Sequence, residues 1–134
     1  MSEYLFVYGT LSPEIAPAGL KEMIGKWRSV GRASAPGYLY DLGEYPGAIP
    51  DRESKLLIKG EVFRLYDAPS VLRILDAYEG ADPDNPAESL FVRREEIVTL
   101  VDGRELICWV YVYNRPTFSA PIIANGDYLE RIRN

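Results

Sequence analysis

The hydrophobic pattern near the start of the chain predicts a short buried strand that stops at a glycine. Residues Tyr4 to Tyr8 form an unbroken run of aromatic and aliphatic side chains, which is typical of a strand buried on both faces. Gly9 ends the run, and glycine allows either a positive φ or a close approach of another group to the backbone. The amide groups that follow have no evident ladder partner. They could bind a carboxylate or a developing oxyanion, or form a tight turn without a ligand.

Two segments have the spacing of amphipathic helices. The first would start near Pro13 or Pro17. Its apolar side chains lie on one helical face, at Leu20, Met23, Ile24 and Trp27. Gly25 would end it. The second helix would run from an N-cap at Asp67 to a C-terminal glycine at Gly80, and its buried stripe consists of Val71, Leu72 and Leu75.

Glu79 falls within the buried stripe of this second helix, while Asp76 lies closer to its margin. An inward glutamate in a last helical turn loses hydration and faces the negative end of the helix dipole. Both effects favour the neutral acid and raise its pKa, which suits a group that accepts and returns a proton. The alternatives are a frayed turn with Glu79 in solvent, or an ion pair of Glu79 with Arg93 or Arg94.

The remaining patterns predict a sheet-rich molecule. We expect strands over residues 29–40 (interrupted at Pro36–Gly37), 56–65 (with a bulge at Gly60), 90–101 and 104–113. The last strand is apolar on both faces, so we expect it to be central. Asp102-Gly103 predicts a type I′ hairpin turn between the last two strands. The turn-rich stretch 41–47 could wall a pocket or form a surface loop.

Length, charge and hydropathy limit the number of domains and the kinds of partner. The 134 residues suit one domain, which we expect to span residues 1–134. A net charge of -5 argues against a nucleic-acid partner, and no apolar run is long enough for a membrane helix. We therefore expect a cytoplasmic protein without a nucleic-acid or membrane partner.

The chain contains no histidine and a single cysteine, Cys108. Catalytic triads that use histidine are therefore excluded, as are metal sites built on histidine or on several cysteines. Cys108 lies in the apolar strand at 104–113, where we expect an inert core thiol. We expect no metal and no cofactor.

Five blocks in order along the chain resemble the gamma-glutamylcyclotransferase-like family, of the gamma-glutamylamine cyclotransferase type. They are Tyr8-Gly9-Thr10-Leu11, residues 37–47, residues 59–63, Leu75-Asp76-Ala77-Tyr78-Glu79-Gly80 and residues 109–114. The resemblance implies an α+β fold in which a mixed, strongly curved sheet forms a partial β-barrel with a few peripheral helices. It also implies a cavity between the loop at 8–11 and the glutamate.

The resemblance further implies an enzyme that releases 5-oxoproline from γ-glutamyl amides, with Glu79 as the catalytic acid and base. Tyr8, Gly9, Thr10 and Leu11 would bind the substrate. The chain departs from the family pattern at Glu14, where a glycine is frequent, and at Phe91, where a tyrosine is common. The alternative function is a non-catalytic module that binds a small carboxylate-bearing ligand in the same cavity.

Overall fold

The structure, a computed structural model, describes residues 2–133 of the chain. Its strands are β1 (Tyr4–Val7), β2 (Arg28–Asp41), β3 (Pro46–Pro50), β4 (Leu57–Arg64), β5 (Phe91–Leu100) and β6 (Glu105–Tyr113). Its helices are α1 (Ala18–Ile24), α2 (Ala68–Glu79) and α3 (Tyr128–Arg133), and a short 3₁₀ turn spans Pro86–Glu88. None of the helices between residues 2 and 133 has the length and apolar composition required to cross a membrane.

Five of the strands close into a barrel. Neighbours around the ring are β1, β4, β2, β3 and β6, and β6 returns to β1 through the parallel pair Leu5 and Trp109. Strand β5 is the sixth strand: it pairs antiparallel with β6 from Phe91 to Thr99, and its end also pairs with β2. The predicted α+β class with a curved mixed sheet and peripheral helices is confirmed, and the barrel closes where the sequence indicated a partial one.

The order of strands explains the buried patterns at both ends of the chain. Strand β1 lies between β4 and β6, and its apolar run is covered on both faces because alternate side chains pack into two different buried clusters. Strand β6 pairs with β1, β3 and β5, which confirms the prediction that it is central. Cys108 on β6 is fully buried, and burial raises the pKa of its thiol to about 12, so it is a core residue without thiolate character at neutral pH.

Three predictions about the strands are wrong. Strand β2 is continuous through Pro36–Gly37, because its first part pairs with β4 and its last part with β3. The stretch 46–50 is strand β3, although Pro46–Gly47 read as a turn. Gly60 is not a bulge: the register shift lies in β2, and a Cβ at Gly60 would lie 2.3 Å from the carbonyl oxygen of Val7. The glycine therefore allows β1 to approach β4.

The β5–β6 hairpin forms at the predicted place but with a different turn. A type I′ turn needs a positive φ at both central residues. In the hairpin only Gly103 has one, at 93°, and the amide of Gly103 donates to the carbonyl of Leu100. This pattern fits a type I turn over residues 100–103 that ends in a left-handed glycine.

The alternation of side chains along the strands divides the core into two clusters. Leu5 and Val7 of β1 pack with α1 and α2, whereas Phe6 packs with residues of β2 to β6 on the other face of the sheet. Tyr128 of α3 joins the second cluster. Helix α2 is therefore held against the face of the sheet on which the loop after β1 emerges.

Candidate active site

A cavity of about 290 Å³ opens where the loop after β1 meets the C-terminal end of α2. Its walls come from β1 and the following loop, from the turn before β3, from α2, and from the start of β5 and the end of β6. The lining residues are Phe6, Val7, Tyr8, Gly9, Thr10, Leu11, Glu44, Tyr45, Pro46, Tyr78, Glu79, Leu90, Phe91 and Tyr111. The five residues that the sequence singled out, at 8–11 and 79, therefore lie around one cavity.

The loop after β1 is a tight turn. The amide of Ser12 donates to the carbonyl of Gly9 at 2.9 Å, which leaves the Gly9–Leu11 segment on the cavity wall. Of the two properties that glycine offers at this position, Gly9 uses close approach and not a positive φ. A Cβ at Gly9 would lie 2.6 Å from Cγ of Pro46. Glycine is needed here so that the loop and β3 can approach each other.

Tyr8 fixes one wall of the cavity. Its hydroxyl donates to the carbonyl of Tyr111 on β6 and also contacts the backbone of Ala48 on β3. Burial, and then the negative charge of Glu79, raise the pKa of Tyr8 far above its ordinary value. Tyr8 therefore remains a neutral phenol, tied to two strands beside the glutamate.

Helix α2 delivers Glu79 to the cavity at its last turn. The helix ends because Gly80 takes a left-handed conformation, with φ of 66°, as the sequence predicted. Glu79 is half-buried, and this burial raises the pKa of its carboxyl group to about 7. The carboxyl group can therefore accept and release a proton near neutral pH.

The other acid of α2 is placed differently from the sequence expectation. Asp76 is buried, not marginal, because Arg93 donates two hydrogen bonds to it, at 2.7 and 3.0 Å. The alternative in which Arg93 pairs with Glu79 is therefore wrong. The predicted N-cap at Asp67 has the right position, but its side chain makes no capping hydrogen bond and its φ is 54°.

A hydrogen bond joins the two halves of the site. The hydroxyl of Tyr78, next to Glu79, donates to the hydroxyl of Thr10 at 3.3 Å. Leu11 is buried and packs in the cluster beneath α2. The loop that carries the backbone amides is thus tied directly to the helix turn that carries the acid.

Nine of the fourteen lining residues are not among the site residues that the sequence predicted, Glu44, Tyr45, Phe91 and Tyr111 among them. Glu44 and Tyr45 come from the stretch for which a pocket wall was one of two interpretations, and Tyr111 lies in a strand that reads as core. Phe91 packs its ring against those of Tyr45 and Tyr113, with centroids 6.0 and 5.5 Å away. No local pattern distinguishes these aromatic residues from core residues, since their role depends on which strands meet.

The two departures from the family pattern fall in different places. Phe91 lines the cavity, so the cavity lacks the hydroxyl group that a tyrosine at this position would supply. Glu14 is exposed, forms an ion pair with Arg133 of α3, and is not among the residues that line the cavity. Among residues 2–133 there is no group of three or more potential metal ligands of the His, Cys, Asp or Glu type.

A comparison of the sequence with protein-family models identifies the family of this chain. The model of the family described as "Gamma-glutamyl cyclotransferase, AIG2-like" matches residues 5–130, nearly the whole chain. The chain belongs to this family. The match includes both the loop after β1 and the end of α2.

Individual relatives agree with the family assignment. The gamma-glutamylcyclotransferase family protein YtfP of Escherichia coli is 32% identical over 128 residues, which cover 95% of this chain and 96% of that protein. The solution structure of ytfP from Escherichia coli has a TM-score of 0.65 and 30% identity, with 96% and 98% of the two chains covered.

Two further structures show the fold alone. An AIG2-like protein from Mus musculus has a TM-score of 0.69 at 23% identity, and covers 94% of this chain and 87% of its own. YkqA from Bacillus subtilis also has a TM-score of 0.69, at 21% identity. The present chain is covered to 98% but spans only 41% of YkqA. The fold thus also occurs within a longer chain.

Proposed function

We propose that this protein is a γ-glutamyl-amide cyclotransferase that releases 5-oxoproline and a free amine or amino acid. The observation that carries the proposal is the position of Glu79, whose carboxyl group, with a pKa of about 7, shares a cavity with the Gly9–Leu11 loop. Membership of the cyclotransferase family supports the reaction class.

Glu79 is the acid and base of the proposed reaction. Its carboxylate takes a proton from the α-ammonium group of the substrate, and the resulting amine attacks the γ-carbonyl carbon of the same molecule. A C–N bond forms and closes a five-membered ring, while the carbonyl oxygen gains negative charge. The protonated Glu79 then gives its proton to the leaving nitrogen, the original amide bond breaks, and the carboxylate is restored. The second proton of the ring nitrogen passes to the departing amine, which leaves as an ammonium ion.

The loop after β1 holds the negatively charged part of the substrate. No lysine or arginine is among the residues that line the cavity, so the amides of Gly9, Thr10 and Leu11 are the donors available at this wall. They bind either the α-carboxylate or the developing oxyanion. Tyr8 and Tyr111 form neutral walls, which keep Glu79 desolvated.

The nucleophile belongs to the substrate, so the protein supplies mainly geometry and proton transfer. A cavity that holds the γ-glutamyl arm bent makes the attack intramolecular, an effect worth about 7–11 kcal/mol in well-oriented cases. The absence of histidine from the sequence is compatible with this mechanism because no serine or cysteine nucleophile needs activation.

The test is a panel of γ-glutamyl amides and γ-glutamyl dipeptides, with 5-oxoproline detected by mass spectrometry. We expect turnover of at least one class of substrate by the unmodified protein, and binding without product by Glu79→Gln. A panel that binds saturably to both proteins and is turned over by neither would contradict the enzyme and support the carboxylate-binding module.

A further inference from the structure

Behind the cavity wall lies a buried ion pair that the proposed reaction does not use. Nε and Nη2 of Arg93 on β5 donate to the two carboxylate oxygens of Asp76 on α2, at 2.7 and 3.0 Å. The side chains of Arg93 and Asp76 are only 18% and 9% exposed. A bidentate pair of this kind fixes the orientation of the guanidinium group as well as its position.

Two aromatic side chains hold this pair in place. The hydroxyl of Tyr111 donates to Oδ1 of Asp76 at 2.8 Å, and the guanidinium carbon of Arg93 lies 4.3 Å from the ring centroid of Trp109. Asp76 therefore accepts three hydrogen bonds, and Arg93 stacks on an aromatic face. Tyr111 also lines the cavity, so the pair is connected to the site through one side chain.

Arg93 contacts α2 about one helical turn before Glu79, and it lies two residues after the cavity residue Phe91 in β5. Asp76 and Glu79 are three residues apart in α2, so they lie on the same helix face. Phe91, which lines the cavity, and Arg93 are two residues apart in β5, so they lie on the same face of that strand. An arginine released from Asp76 would have two carboxylates within its neighbourhood: Glu95, two residues away in β5, whose charge already acts on Arg93, and Glu79, the next carboxylate along the helix.

The groups that face Glu79 from the other elements carry no positive charge. They are Tyr8 from the loop after β1, Glu44 and Tyr45 from the turn before β3, and Tyr111 from β6; on α2 itself the cavity also includes Tyr78. Burial is the main cause of the raised pKa values of Tyr8, Tyr45 and Tyr111, and the negative charge of Glu79 contributes to each. An arginine that reached Glu79 would therefore be the only positively charged side chain among the residues that line the cavity.

We propose that Asp76 is a positioning residue that holds Arg93 away from Glu79 and so keeps the acid–base carboxylate free of an ion pair. The proposal rests on the proposed function of Glu79. An ion pair with arginine would stabilise the carboxylate and make Glu79 a weaker base, as well as tie it to the wall instead of the substrate. Asp76 prevents this by binding the guanidinium group at two of its nitrogens, Nε and Nη2.

The test is the pKa of Glu79 in ligand-free protein, measured by ¹³C NMR of the side-chain carboxyl carbon and assigned with Glu79→Gln. In Asp76→Ala the guanidinium group loses its partner, and we expect the pKa of Glu79 to fall by about 1 to 3 pH units. Asp76→Asn keeps one acceptor for Arg93 and should give a smaller fall in the same direction. If the alanine variant does not fold, the asparagine variant provides the test.

The double variant Asp76→Ala/Arg93→Met is the control that separates this role from a structural one. It removes the cation together with its partner, so we expect the pKa of Glu79 to return to about 7. A pKa of Glu79 that is unchanged in both single variants would overturn the proposal. So would a fall that persists in the double variant, because a loosened cavity would then be its cause.

Kinetics with a γ-glutamyl amide provide a second measurement. In the single variants we expect the low-pH limb of kcat/KM to move to lower pH together with a fall in kcat, and both effects to be reversed in the double variant. The pKa measurement needs no turnover. A protein that releases no 5-oxoproline would therefore contradict the proposed function and still leave the effect of Asp76 on Glu79 measurable.

Discussion

Burial gives Glu79 an acidity far from that of a glutamate in water, and this single change decides what the residue can do. With a pKa of about 7, the carboxyl group is partly ionised at neutral pH. It can therefore take a proton in one step and return it in the next at similar cost. The sequence indicated this property because Glu79 falls in the buried stripe of a helix that a glycine ends.

The sequence did not predict the burial of Asp76. Its helical position suggested the margin of the stripe, yet it is buried, because Arg93 and Tyr111 satisfy its carboxylate. Both partners are distant in sequence, and burial of a charged group depends on such partners. No periodicity in α2 can reveal a partner that β5 and β6 supply.

The pH dependence of the reaction follows from the protonation state of Glu79. The base must be ionised to accept the substrate proton, so kcat/KM should be constant above pH 7 until the substrate α-ammonium group titrates. Below pH 7 it should fall tenfold for each pH unit. Steady-state rates from pH 5 to 9 measure this limb. A limb centred near pH 4.5, the ordinary value for glutamate, would contradict the buried base.

The same pKa makes a prediction about stability. The folded protein binds the proton of Glu79 more tightly than the unfolded chain does, so Glu79 makes the folded state less stable as the pH rises from 4.5 to 7. Glu79→Gln should therefore raise the free energy of unfolding at pH 8, by up to about 3 kcal/mol. Urea denaturation should show this difference at pH 8 and lose it at pH 5. An equal effect at both pH values would count against the ionisation as its source.

At the scale of elements, the site depends on how closely the loop after β1 approaches β3. The sequence predicted β1, α2 and the strands of the β5–β6 hairpin because each has a complete local pattern with a marked end. It missed β3 because Pro46 and Gly47 are typical turn residues. They are tolerated in this strand since Gly47 packs directly under the ring of Tyr113 and Gly9 leaves room for Pro46.

Gly9→Ala tests this approach. The added Cβ would lie 2.6 Å from Cγ and 3.1 Å from Cδ of Pro46, so the loop or β3 must move. We expect a loss of about 1–3 kcal/mol in the free energy of unfolding, from urea denaturation, and a loss of 5-oxoproline release larger than the unfolded fraction explains.

Gly19→Ala is the matched control for this prediction. Gly19 lies within α1, and a Cβ there meets nothing within 4 Å. Replacement should stabilise the helix by about 0.5–1 kcal/mol and leave turnover unchanged. If both variants behaved alike, the contact between Gly9 and Pro46 would not matter for the site.

At the scale of the whole molecule, ring closure brings the site together, and the sequence could not predict it. The ring closes through the single pairs Leu5 with Trp109 and Ala48 with Val112, each between strands far apart in the chain. This closure places Tyr111 of β6 beside Tyr8, the residue that follows β1. The resemblance to a family supplied the curved sheet, while the local patterns supplied only its strands. That residues 1–134 form one domain stays a prediction.

The charge of the molecule predicts a preference among leaving amines. The charged residues that line the cavity are Glu44 and Glu79, and the net charge of the chain is -5. A γ-glutamyl amide with a second ammonium group on its leaving amine should have a higher kcat/KM than the same amide with a carboxylate there. We expect a ratio of about fivefold at low salt.

Ionic strength and Glu44 provide the controls for this preference. The ratio should fall at high salt because exposed charges are screened, and it should fall in Glu44→Gln, whose charge is lost while its size is kept. A ratio near one, or a preference for the carboxylate, would show that the acidic cavity does not select the leaving group.

The most direct test of the central claim is the rate of 5-oxoproline release from the best γ-glutamyl amide by three proteins: the unmodified chain, Glu79→Gln and Glu44→Gln. We expect Glu79→Gln to lose about 10²–10⁴-fold in kcat, and Glu44→Gln, which also removes a cavity carboxylate, to keep most of its kcat. Undiminished release by Glu79→Gln would exclude Glu79 as the acid and base.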